Sequence, residues 1–242
     1  MSPLLKYSSL FFHYLKKPIV PQKLNPQKSV KFLFLLFIFS LSIVFGLDYF
    51  FSGKYLAGLL KIKNVDSLED DILKAGFTYA IFTVGLIGPL IEEALMRYYL
   101  ISFKWNYAVL PIFFGFLTIA LFHIENTIAL SIIIVASLLC SSLIYTKIKK
   151  SKAFKLRLIR LYINNYGFFF YLSAITFGVL HISNYQIQHF IPILPILLVL
   201  PQIIMGIVLG YIRITMGIWW SVAFHCLHNL FCISILFSNH HL

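Results

Sequence analysis

The chain has 242 residues, of which 60% are hydrophobic, 17% aromatic and only 12% charged, with a mean hydropathy of +0.88. Soluble domains carry about a quarter charged residues, so a water-soluble enzyme, a disordered chain and a disulfide scaffold all fit poorly. Lys and Arg outnumber Asp and Glu by 20 to 8, a net charge of +12. These cations lie between apolar runs, where lipid headgroups and membrane orientation account for them without nucleic acid.

The composition predicts an all-α, polytopic transmembrane helix bundle of seven or eight spans. Residues 1–29 form a basic N-terminal arm, too long and irregular for a signal peptide. A first span over Val30–Leu47 and a polar connection, which holds the acids Asp66, Glu69, Asp70 and Asp71, fill residues 30–74. The remainder, 75–237, is the core. Its first apolar run starts near Ile72 and reaches Gly88-Pro89, where a break or kink is expected because proline lacks an N–H and disfavours helix before it. The segment Leu90–Trp105 differs in character, with Glu92, Glu93, Arg97 and Lys104. A helix pair is expected near 106–146, then a basic connection from Lys147 to Arg160, and apolar runs near 166–183, 190–211 and 214–237 with Arg213 at the last junction. Cys140, Cys226 and Cys232 show no CxxC spacing and read as apolar fillers with free thiols.

Five of the eight acids lie in or beside the polar connection, and Glu125 sits in a short turn. Only Glu92 and Glu93 remain inside apolar sequence, where ionisable groups default to a functional reading. On a helix Glu93 and Arg97 are i and i+4 and can pair, while Glu92 points about 100° away. His225 and Asn229 are likewise i and i+4. A carboxylate with an imidazole can hold and deprotonate a water, and a second imidazole with a carboxamide can donate to an oxyanion. Together they describe hydrolysis of an acyl bond such as a peptide. The same residues admit a metal reading, with Glu92, His181 and His225 as candidate ligands of a catalytic Zn²⁺. No HExxH is present, so the metal-free glutamate mechanism, needing no cofactor, is the favoured one.

The trio Glu92-Glu93-xxx-Arg97, Phe177-xxx-His181 and His225-xxx-Asn229 resembles the CAAX prenyl protease and bacteriocin-processing family of intramembrane proteases. The resemblance covers roughly 85–235. It implies that Glu92 and His181 activate water, that His225 and Asn229 form the oxyanion site, and that Glu93 and Arg97 support them. It also implies a multi-pass protein, of bacterial cell-membrane type, acting on a peptide or protein that can be lipidated. The family has been described both as metalloproteases and as glutamate proteases. His181 follows Glu92 by 89 positions, farther than the single hairpin usual in the family, which an inserted pair near 106–146 explains. His123 competes for the second motif but has Ile119 where the Phe belongs.

Each residue also has a plainer reading. Glu93–Arg97 can be purely structural, Glu92 can snorkel to an interface, and His181, His225 and Asn229 can bond neighbouring helices. His228 lies one turn from His225 and could replace it. Gly206 and Gly210 form a GxxxG step, ordinarily close helix packing. Two other classes compete with the protease: a non-catalytic membrane immunity or scaffolding protein, and a cation or proton carrier. Topology divides in the same way. The positive-inside count favours seven spans, with Arg97 and Arg213 grouped with the 147–160 cluster. A site shared by Glu92 and His181 requires eight, with Leu90–Trp105 crossing separately from Gly88-Pro89.

Overall fold

The computed structural model describes residues 3–18, 26–51, 67–97, 100, 110–112, 114–115, 118, 126–184 and 194–240. His123, Glu125, Lys104, Trp105, most of the first helix of the expected 106–146 pair and most of the polar connection lie outside them. All the regular elements among the described residues are helical. They are α1 (Pro3–Lys16), α2 (Pro26–Phe51), α3 (Ser67–Ala75), α4 (Phe77–Arg97), α5 (Thr127–Lys150), α6 (Lys152–Asn164), α7 (Tyr166–Leu180), α8 (Leu194–Leu198), α9 (Leu200–Thr215) and α10 (Ile218–His240).

Three of these are long and apolar enough to cross a membrane: α4, α5 and Ile218–Ser238 of α10. A fourth counts if α6 and α7, bent by 74°, form one broken span. The apolar side chains of α5, Ile128, Ile132, Leu139 and Leu143 among them, face outward, as hydrocarbon surroundings require. Its N-terminus is closed by Asn126, whose side chain accepts from the N–H groups of Ile128 and Ala129 at 3.0 and 3.1 Å. Ser151 caps α6 through the Phe154 N–H in the same manner.

Two expected boundaries are corrected. The chain does not break at Gly88-Pro89, and Leu90–Trp105 does not begin there as a separate crossing. Phe77 to Arg97 runs as one helix that rewinds over Ile81–Ile87 into π register. The wider turn accommodates the proline, which would disrupt the ordinary i→i−4 ladder. Nor does Arg213 mark a junction. It lies inside α9 and is buried, while the turn into α10 comes at Gly217, whose φ of +114° suits glycine.

The core gathers around α7 and α9. Gly206 of α9 sits against the Ala174 backbone of α7, such that a Cβ there would stand 2.9 Å from its carbonyl oxygen; one at Gly210 would stand 3.0 Å from the Phe170 ring. The GxxxG step therefore does what its spacing implies. Part of the N-terminal arm joins this core. Phe11 and Tyr14 of α1 pack edge-on against Tyr211 at 4.9 and 5.4 Å, and Tyr14 meets Phe170 at 5.3 Å. Helix α10 runs antiparallel to α4. Phe237 meets Phe77, Ile233 clusters with Ala80, and His225 reaches Glu93.

Gly206→Val drives a side chain into the Ala174 backbone and should cost about 1–3 kcal/mol. Thermal unfolding in detergent should show a clear fall in Tm. Gly46→Ala, with nothing within 4 Å of the added carbon, should leave Tm unchanged or slightly raised.

Candidate active site

Glu93 is fully buried near the C-terminal end of α4. One of its carboxylate oxygens takes the Arg97 guanidinium one turn along, and the other takes the Ser221 hydroxyl from α10. His225 Nδ1 stands 3.1 Å from the oxygen that pairs with Arg97. A carboxylate offers lone pairs to about four donors, and this one serves three. A carboxylate can only accept here, so the Nδ1 of His225 carries a hydrogen and its Nε2 points elsewhere.

Elsewhere is Glu92. Its Oε2 lies 3.6 Å from His225 Nε2, too long for a direct hydrogen bond and right for a bridge through one small group. That oxygen is buried and has no hydrogen-bond partner among the described residues, although the Glu92 side chain as a whole is 35% exposed. Adjacent glutamates thus face different surroundings, as the 100° helical step requires. Glu93 is sealed in, and Glu92 is partly exposed.

Phe177 organises the other side of the cluster. The Arg97 guanidinium lies over its ring at 4.4 Å, a cation–π contact. The His181 ring packs at 4.7 Å and the His225 ring, edge-on, at 5.5 Å. His181 Nδ1 is 2.7 Å from the Phe177 carbonyl one turn back. A carbonyl only accepts, so Nδ1 donates and Nε2 is left with its lone pair in the neutral ring.

Among the residues singled out in the sequence, Glu93 contacts Arg97 and His225, His225 also faces Glu92, and His181 joins them across Phe177. Asn229 lies one turn beyond His225 and donates through Nδ2 to the Val84 carbonyl at 2.9 Å. His228 is buried on α10, its Nδ1 without a hydrogen-bond partner among the described residues. For a metal, the donor types of Glu92, His181 and His225 are suitable. However, no group of three or more His, Cys, Asp or Glu among the described residues is arranged to hold an ion.

Sequence reasoning passed over Ser221, Ser173 and the inward role of Arg213. Ser221 was within reach of it, since Ser221, His225 and Asn229 follow one another at four-residue steps on one face of α10. The others support the end of α4, whose last carbonyls have no intrahelical partner. Ser173 donates to Met96 O at 2.8 Å and Arg213 Nε to Arg97 O at 3.2 Å. Just beyond the helix, Tyr162 and Tyr166 donate to Leu100 O at 2.8 and 3.1 Å.

The long apolar helices fit an integral membrane protein. Residues 152–231 match a family model described as type II CAAX prenyl endopeptidase Rce1-like, in agreement with the family resemblance, and the match supports a protease-like function. The match includes His181, His225 and Asn229 and stops short of Glu92. No curated protein and no solved structure matches the chain.

Removing one partner of a buried ion pair strands the other, at a cost of about 3–5 kcal/mol. Arg97→Met should therefore sharply reduce the yield of folded protein and its Tm in detergent. Combined with Glu93→Gln, the same substitution should cost less than it does alone, which a double-mutant cycle would measure.

Proposed function

We propose that this protein is a multi-pass intramembrane endopeptidase that hydrolyses a peptide bond near the membrane surface with water activated by Glu92 and His181. The observation that carries this reading is the placement of His225 between two unlike carboxylates. Its Nδ1–H is held by sealed Glu93, and its Nε2 faces the unsatisfied oxygen of Glu92.

In this mechanism a water lies between Glu92 and His181. The Glu92 carboxylate takes one of its protons while the His181 Nε2 lone pair, aimed by the bond from Nδ1 to Phe177 O, accepts the other hydrogen and orients the attack. As the water oxygen adds to the scissile carbonyl, negative charge grows on the carbonyl oxygen. In this step His225 is doubly protonated: its Nδ1–H stays on Glu93, its Nε2–H donates to that oxygen, and the Glu93 carboxylate beneath balances the ring's positive charge. The second amide hydrogen of Asn229 joins His225 there. Protonated Glu92 then returns the proton to the leaving amine as the C–N bond breaks. Glu93 and Arg97 touch no reacting atom and hold His225 in place.

The substrate class is a peptide or protein segment that reaches the membrane. The description of the matched family points to a prenylated C-terminal CAAX segment, with the lipid accommodated by the apolar helix faces. The reading is tested by reconstituting the full chain in liposomes with prenylated and unprenylated peptides and following cleavage by mass spectrometry. Glu92→Gln and His181→Ala should each lower turnover by roughly 10²–10⁴-fold with folding intact. Dialysis against a strong chelator should leave turnover unchanged. Equal cleavage by wild type and Glu92→Gln would sink the proposal, and loss on chelation restored by Zn²⁺ would replace its water activation with a metal's.

A further inference from the structure

The rewound turn of α4 leaves one backbone bond unmade. In a π-helix each N–H reaches the carbonyl five residues back, and the Gly88 N–H bonds Thr83 O in that register. The next N–H in the series belongs to residue 89 and would fall to Val84 O. Residue 89 is proline and has none. Val84 O instead receives the side-chain amide of Asn229, at 2.9 Å.

We propose that Asn229 fills the hydrogen-bond place that Pro89 leaves open, and that this bond seats α10 on α4 so that His225 stands between Glu92 and Glu93. Neighbouring contacts mark the same seat. Gly85 lies so close to Leu230 that a Cβ there would stand 2.7 Å from its Cδ2, and Cys226 Sγ is 4.0 Å from Leu86 O. His225 is one turn before Asn229 on the same helix face, so a displaced seat moves the imidazole directly. An unpaired carbonyl is costly in hydrocarbon, and Asn229 is the donor the structure supplies to Val84. This gives Asn229 a positioning role through one amide hydrogen, distinct from any contact its other hydrogen makes with substrate.

The pairing predicts a specific rescue. Pro89→Ala restores a backbone donor for Val84 O, from residue 89 in π register or from residue 88 if the turn rewinds to α. Asn229→Leu should lower the Tm of the full chain in detergent by about 3 °C or more. In the Pro89→Ala background the same change should lose less than half as much. Seating in itself assumes no function, whereas its effect on turnover rests on the protease reading above. With a peptide that the wild type cleaves, kcat measured well below Tm should fall in Asn229→Leu and recover severalfold in the double variant. Equal losses of Tm in both backgrounds would overturn the proposal, and recovery of Tm with none of kcat would overturn the positioning role. If no variant, wild type included, cleaves any peptide, the protease reading fails while the Tm comparison still decides the seat. Should Asn229→Leu not accumulate, Asn229→Ser is carried through the same cycle.

Discussion

Everything in the site depends on one buried carboxylate. Glu93 has no exposure, and a charge in that position is tolerable only if its surroundings supply donors. They come from its own helix as Arg97 and from α10 as Ser221 and His225. Two consequences follow from the same contacts. The carboxylate ties α10 to α4, and it fixes the orientation of the His225 ring with Nδ1 on Glu93 and Nε2 directed at Glu92. An interaction needed simply to bury a charge also orients the ring that a hydrolytic site requires.

Arg97 extends that constraint outward. Its guanidinium lies on the Phe177 ring, and that ring also carries both histidines on its surroundings. The backbone of the same helix end is held by Ser173 and Arg213, and Leu100 just past it by Tyr162 and Tyr166. Burying a helix terminus would ordinarily strand its carbonyls. Here α6, α7 and α9 supply the missing donors, so the end of α4 can sit in the interior while Glu92 stays partly exposed.

Local spacing made a good part of this legible. The four-residue steps from Glu93 to Arg97 and from Phe177 to His181 each appear as intrahelical contacts, and the GxxxG step appears as the tight α7–α9 packing. What was hidden depends on bonds between side chains and distant backbone. Ser173 and Arg213 have no periodic signature that separates them from lipid-facing or loop residues. Counting Arg97 and Arg213 as loop charges also weighted the positive-inside argument towards seven spans, although both are buried and so say little about orientation. A break at Gly88-Pro89, one of the two outcomes expected there, is absent for a related reason. Proline rules propagate an α-helical register, and a π turn escapes them by changing which carbonyl each N–H addresses.

That turn bears on the division of labour between the two glutamates. With Gly88-Pro89 as a break, Glu92 and Glu93 would begin a new segment, free to choose its own angle to α10. With the helix continuous, their direction is inherited from Phe77 onward and adjusted by the rewinding at Ile81–Ile87. Residues after a π turn are rotated relative to an unbroken α-helix, because the turn takes up more residues for the same backbone advance. The rotation places Glu93 under His225 and leaves Glu92 beside it. Asn229 and Leu230 grip this turn on one side, and His225 grips its outcome on the other. The acidic pair that stood out for its rarity in the sequence is therefore aimed by a backbone irregularity a few residues upstream, at the proline where a simpler reading ended the helix.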